Sequence, residues 1–444
     1  MVICGGGVAA VETLLALRSH IEVGLDIHLV APNTRFVYQP LAVAEPFDLA
    51  ETHLLDLAEI AAEQGARLHV DSIAAVEGDA RRIRLASEAQ VPFDALVLAV
   101  GARRRAWLEG ALHFGGAESV SAFRRLLGDL AEGAGQQVAF VVPTGVGWTL
   151  ALYELALLTA SRLAEQGVIG VELAVVTPER EPLALFGPTA GRMLRDLLAD
   201  RGIRLMTKTS AESFGEGSLR LDSGATLTAE HVVTLPELGG PALPGLPCNE
   251  SGFIPIDRQS RVSGLEDVYA AGDGTDSPIK QGGIAAQQAD AAAGRIAARM
   301  GAPVRPSTQP PTLRAELLTG VAPTYLRARI TDTGSDSFEV GSSPLWWPPS
   351  KIAAPHLAGY LDGHNSLARD RTLEDLPPSG SGTATLAARR DEARELALLF
   401  AERDAADHHY RSALDWLEVI ERLDGVLPPG YLHKRSEWQR RARG

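Results

Sequence analysis

The chain has 444 residues, 45% of them apolar and 22% charged, with a formal net charge of −14. That length points to about two to four domains, and that balance to a globular fold. The negative charge argues against a molecule-wide nucleic-acid surface, and two cysteines, Cys4 and Cys248, cannot staple a secreted disulfide scaffold.

Val2-Ile3-Cys4 reads as a short apolar strand, and Gly5-Gly6-Gly7-Val8-Ala9-Ala10 follows it. The run fits G-x-G-x-x-A. Gly5 permits a tight turn, Gly7 lets a pyrophosphate approach the backbone, and Ala10 keeps helix and strand close. The next helix, with apolar spacing at Val11, Leu14, Leu15 and Leu17, turns its free N–H groups toward those phosphates. Residues 25–31 form the second strand, closed by Pro32-Asn33. The acidic residue that would hold an NAD ribose is missing there. Asn33 is the nearest polar group, which favours FAD over NAD. Residues 69–86 read as strands and a turn. Residues 92–101 are a buried strand ending in small residues, Ala99 and Gly101, which by themselves suit an ordinary core strand as well as a turn close to a cofactor.

A second β-α-β unit opens at Gln137: a strand over 138–142, an amphipathic helix over 150–166 and a strand over 171–177. Its turn, Val142-Pro143-Thr144-Gly145-Val146-Gly147-Trp148, keeps G-x-G but puts Leu150 where a small residue belongs and bulky Trp148 at the phosphate approach. Glu179, just past the strand, could bond a ribose, and Arg180 a 2′-phosphate. A helix over 189–201 and further strands run to Leu235. Residues 239–247 read as a linker. Asp267-Val268-Tyr269-Ala270-Ala271-Gly272-Asp273 is a third strand end, placing a carboxylate for a ribityl hydroxyl. Pro278-Ile279-Lys280-Gln281-Gly282-Gly283 then opens an Ala-rich helix over 284–300, whose N-terminus would stabilise negative charge on a reduced flavin.

Beyond a Pro-rich linker at 302–311, residues 313–342 alternate like β hairpins, and the chain ends in charged amphipathic helices. Leu345-Trp346-Trp347-Pro348-Pro349 reads as a packed turn, with Trp346 and Trp347 as the alternative docking point for a protein partner. Asp407-His408-His409 lacks further ligands at useful spacing, so no metal is expected. The basic end beyond His433 reads as a frayed helix, with at most peripheral membrane contact. No apolar run of about eighteen residues or more occurs. Met1-Val2-Ile3-Cys4-Gly5 has no basic leader or cleavage site, and the cytoplasm is the expected compartment.

Three glycine-bearing strand ends in this order resemble the two-dinucleotide-binding flavoproteins, the pyridine nucleotide-disulfide oxidoreductase superfamily. Within it, the sequence is most similar to type II NADH:quinone oxidoreductases, sulfide:quinone oxidoreductases and flavocytochrome c sulfide dehydrogenase flavoprotein subunits. Arg35-Phe36-Val37-Tyr38-Gln39-Pro40-Leu41 looks like the stretch that passes near the flavin there. The resemblance implies an α/β fold with two Rossmann-like domains. The FAD domain (1–110 and 239–302) is split by an inserted NAD(P)-type domain (111–238). An α+β interface domain (303–370) and a helical tail (371–444) follow.

It implies FAD contacts at Gly5, Gly7, Val8, Ala9 and Ala10, at Asn33, Gln39 and Pro40, and at Ile73, Ala99 and Gly101. On the third strand end it implies Gly272, Asp273, Lys280, Gln281 and Gly282. Pro143, Thr144, Gly145, Gly147, Glu154 and Glu179 are the candidate NAD(P) residues. Lys280 would stabilise reduced flavin and Tyr38 would border the ring. The expected activity carries electrons from a reduced donor, NAD(P)H first, through FAD to a quinone-like or protein acceptor without a redox-active disulfide. A flavoenzyme with another donor, and a flavin-bound interaction protein without turnover, are the alternatives.

Overall fold

The computed structural model describes residues 1–21, 24–307, 309–331, 334–346, 350–362 and, in the tail, 394, 397–398, 401–402, 405, 410–424, 427 and 429–442. They fall into two compact units, Met1–Ser342 with Ala354–Leu357, and Ser343–Ala353 with Ala358–Gly444.

The first unit contains two parallel five-stranded sheets. One runs in the order Val268–Ala270, Leu96–Leu98, Val2–Cys4, Ile27–Ala31, Ala66–Val70. Strands covered on both faces by crossover segments need continuous apolar side chains, and the three middle-to-edge strands VYA, LVL and VIC are fully buried. Helix α1 (Val8–His20) follows the first strand, α2 (Leu57–Glu63) precedes the last, and α3 (Val120–Ala131) lies in chain order between the first two strands of the second sheet. Asp56 caps α2, accepting from the Ala58 N–H at 2.7 Å.

The second sheet runs Leu112–His113, His231–Thr234, Gln137–Val141, Glu172–Val176, Arg204–Met206. Helices α4 (Leu150–Glu165) and α5 (Gly187–Asp200) are its crossovers. Leu150, the residue standing where a small one was wanted, is 3% exposed within the core of this layer. Helix α6 (Gly282–Arg299) returns to the first sheet and packs along α1. Small residues make that close approach feasible: Ala285, Ala286, Ala289, Ala292 and Ala293 are all buried. An antiparallel sheet of Thr312–Leu317, Thr324–Thr331 and Gly334–Gly341 completes the unit, two consecutive hairpins as the alternation over 313–342 predicts.

In the second unit, α7 (Tyr410–Asp424) and α8 (Pro429–Arg441) form the helical tail. Its core gathers Trp416, Leu417, Ile420, Leu427 and Trp438. Trp346 is 5% exposed and its indole N–H donates to the Ser350 carbonyl at 3.1 Å, so it is packed rather than presented. Trp347, Pro348, Pro349 and Asp407-His408-His409 lie outside the described residues. Among the described residues no helix is long and apolar enough to cross a membrane.

Candidate nucleotide sites

Adjacent parallel strands bring the three glycine-bearing ends together. Gly5 follows Val2–Cys4, Ala99 and Gly101 follow Leu96–Leu98, and Gly272 and Asp273 follow Val268–Ala270. Gly5 has φ +133°, and a Cβ there would collide with the Ala99 carbonyl. Glycine is required on both counts. Gly272 (φ +86°) lies against the Cβ atoms of Ala9 and Ala285, at 3.2 and 3.6 Å from a built Cβ, so α1, α6 and this turn meet at one point. Ala10, the third member of the motif, is buried at 0% exposure.

A Cβ built on Gly7 or on Gly101 would meet no protein atom within 4 Å. The backbone at both points is thus approachable, as a dinucleotide requires. Helix α1 also starts without a side-chain cap on its first N–H groups. Asp273 is half-buried and accepts no hydrogen bond from any described residue. Burial raises its pKa, against the opposing charges of Lys280 and Arg104. A carboxylate kept partly from water, with cations beside it and its acceptor sites uncommitted, fits a ribityl hydroxyl.

The other predicted residues are placed less simply. Lys280 donates to the Thr275 carbonyl and lies 3.8 Å from the Phe253 ring centroid. Burial depresses its pKa to about 8, with Asp273 and Asp276 opposing. Gln281 caps α6 through Ile284 N–H (3.0 Å) and donates to the Arg314 carbonyl (3.1 Å), and Gly282 is the first residue of α6. Gln39 accepts from Ala117 N–H at 2.9 Å. Tyr38 is buried between Phe36 and His53, and Pro40 sits in the turn Gln39–Leu41. Asn33 is exposed, Val8 partly so, and Ile73 packs against the core of the first sheet.

Two residues that hold the third strand end escaped the sequence reading. Gln288 accepts from Gly272 N–H at 2.8 Å, and Thr275 donates its hydroxyl to the Gly272 carbonyl at 2.9 Å. Gln281, Ala285 and Gln288 share one helical face, which was the available signal.

The second turn is open on one side and engaged on the other. Pro143 is buried while Thr144 and Gly145 are exposed. Gly145 (φ +77°) has nothing within 4 Å of a built Cβ, and α4 begins with no side-chain cap. Gly147, by contrast, abuts the first fold: a Cβ there would collide with the Pro278 carbonyl. Trp148 stacks edge-on against Phe186 at 6.0 Å.

Glu179 receives the hydroxyls of Tyr153 (2.5 Å), Thr177 (3.1 Å) and Thr149 (3.4 Å). Burial raises the pKa of both Glu179 and Tyr153. Glu154 is 1% exposed and accepts from the Leu318 N–H at 2.8 Å, so it faces the antiparallel sheet rather than the turn.

A family model described as pyridine nucleotide-disulphide oxidoreductase matches residues 1–292. The chain belongs to that family. FAD is the family's cofactor, with NAD(P)H as its substrate or cofactor. Among solved structures the chain is similar to sulfide:quinone oxidoreductase from the hyperthermophilic bacterium Aquifex aeolicus, with a TM-score of 0.69 and 19% identity over 77% of this chain and 86% of that one. A ferredoxin reductase from Rhodopseudomonas palustris gives 0.58 and 21% over 76% and 83%. Putidaredoxin reductase, in its covalent complex with putidaredoxin, gives 0.57 and 19% over 76% and 82%. Identities this low speak to the shared fold. No curated protein sequence matches the chain.

Proposed function

We propose that this flavin-dependent oxidoreductase takes electrons from NAD(P)H and passes them to a quinone-like or protein acceptor. The contact of Gly147 with the Pro278 carbonyl carries this reading. It brings the second glycine turn against the loop joining Asp273 to α6. A nicotinamide held by one fold and a flavin held by the other would meet there.

Gly5, Gly7, Gly101 and Asp273 would hold FAD, which supplies two-electron acceptance and one-electron release when bound. The turn around Gly145 and the start of α4 would hold the nucleotide phosphates. Lys280, kept beside Asp273 and Asp276, would place positive charge where the ring becomes anionic. No dithiol step is invoked. Cys4 and Cys248 are both free, and burial pushes the Cys4 thiol far up, away from thiolate chemistry. The names of the similar enzymes, a sulfide:quinone oxidoreductase and two reductases of ferredoxin-type proteins, support a quinone or a small redox protein as acceptor.

The engagement of Glu179 by three hydroxyls favours a second reading, in which the donor is not a nicotinamide. Anaerobic titration of the FAD-loaded protein separates the two. Stoichiometric loss of the oxidised-flavin absorbance with NADH or NADPH is expected. An unchanged spectrum at millimolar nucleotide would transfer the proposal to the second reading.

A further inference from the structure

We propose that Glu12, Asp290 and His356 bind one divalent ion of the zinc type, which pins the segment Ala354–Leu357 to helices α1 and α6. Neither nucleotide site takes part in it.

The three residues come from distant parts of the chain. Glu12 is the fifth residue of α1, Asp290 lies midway along α6, and His356 stands in the opening turn of the helix that starts at Pro355. Their donor atoms, one from each residue, all lie within 4.8 Å of one another. Ligands at zinc distance in a tetrahedron stand about 3.4 Å apart. Asp290 Oδ1 and His356 Nε2 are already 3.2 Å apart.

Capping explains part of this arrangement. The Glu12 carboxylate accepts the His356 N–H at 3.1 Å on Oε1 and the Leu357 N–H at 2.7 Å on Oε2. Those bonds take two of its roughly four acceptor positions and fix its direction, as the outer partners of metal-ligating carboxylates do. They do not explain why a second carboxylate and an imidazole ring face the first. Glu12 is 0% exposed and Asp290 half-buried, yet neither has a Lys or Arg partner among the described residues. Only the His356 ring pairs with Asp290, and it is also the one side-chain charge that offsets Glu12. His20, edge-on to His356 with 6.1 Å between ring centroids, adds a second imidazole but no fixed charge. Two carboxylates drawn from water without a cation are costly, and a divalent ion supplies the missing charge. An imidazole among oxygen donors favours a zinc-type ion over Mg²⁺ or Ca²⁺. In the metal-free protein burial keeps a proton on Glu12 up to about pH 7, and the ion would take that proton's place.

The test uses full-length, FAD-loaded protein, stripped with EDTA, desalted and titrated calorimetrically with ZnCl₂. One ion should bind per chain, and Asp290→Asn or His356→Ala should each weaken it by about tenfold or more, at least the loss seen when an outer partner is removed. Saturating Zn²⁺ should raise the thermal midpoint by about three degrees, and Mg²⁺ should leave it in place. The rival zinc ligands are the exposed thiol of Cys248 and the pair His408-His409. Cys248→Ser, and His408→Ala with His409→Ala, should leave the titration unchanged. Asp290→Asn keeps the shape of the side chain, so it should retain FAD and melt with the stripped parent while losing the zinc response. The inference is overturned by a protein that gives no zinc-dependent heat or midpoint shift, by binding that survives both Asp290→Asn and His356→Ala, by binding lost in the Cys248 or His408-His409 variants, or by an equal response to Mg²⁺.

Discussion

The two nucleotide folds share an anchor and differ at the ligand. Each first helix carries a buried glutamate at its fifth residue, Glu12 on α1 and Glu154 on α4. Each accepts backbone N–H groups from a segment far along the chain. Glu12 takes those of His356 (3.1 Å) and Leu357 (2.7 Å), and Glu154 that of Leu318. The acidic residues near the ligand edges diverge. Asp273 is left uncommitted, whereas Glu179 is engaged from three sides. One polar group is thus held for a ligand while the other supports its own domain, and no motif of glycines reports which is which.

The sharpest test of that contrast pairs Gly5→Ala with Gly145→Ala. The first forces a Cβ into the Ala99 carbonyl at φ +133° and should cost about 3 kcal/mol or more, seen as loss of bound FAD and a lower thermal midpoint. The second meets open space, and its φ of +77° alone should cost about 1 kcal/mol, with FAD retained.

Next come the two acids. Asp273→Asn should weaken FAD retention by roughly tenfold, as loss of a charged acceptor does, without lowering the melting point of the apoprotein. Glu179→Gln should do the reverse. FAD stays, and the protein loses about 1–3 kcal/mol in denaturant melts because one of the two carboxylate oxygens that Tyr153, Thr177 and Thr149 share becomes an amide donor. The contrast is broken if both variants lose FAD equally.

Two smaller effects depend on pH. Burial raises Glu12 from 4.5 to about 7, so the folded state keeps a proton that the unfolded chain has lost. Its contribution to stability therefore falls as pH rises from about 4.5 to about 7. Glu12→Gln should flatten that part of a melting-point profile. Lys280, depressed to about 8, loses its charge as pH rises through that value. The rate of flavin reduction by the donor should decline across the same range, and Lys280→Met should abolish the decline.

What could be read in advance follows from how local the cause is. The split α/β layout and the juxtaposition of Gly5, Gly101 and Gly272 rest on backbone constraints written at fixed spacing, and they were legible. Leu150 and Trp148 were rightly seen as departures, but their packing partners, the core of the second layer and Phe186, were not readable. Glu179 was expected to face a ribose; its hydroxyl donors come from residues 149, 153 and 177, whose convergence only the folded chain creates. Glu154 was assigned to the nucleotide, yet it reaches across to Leu318. Gln39 and Gln281 were expected at the flavin, and both now hold neighbouring backbone. Glu12 gave no signal because its partners, His356 and Leu357, are remote in sequence, and Gln288 gave only its place on the helical face of Gln281 and Ala285.

The strand Val268–Ala270 has a consequence for biogenesis. It pairs with Leu96–Leu98, yet nothing between residues 99 and 267 belongs to that sheet. On the ribosome the inserted layer can finish closing while the earlier one still shows an unpaired, wholly apolar edge. A nascent chain stalled before residue 268 would present that edge as a template for other strands, so translation pauses in this interval should favour aggregation over delay.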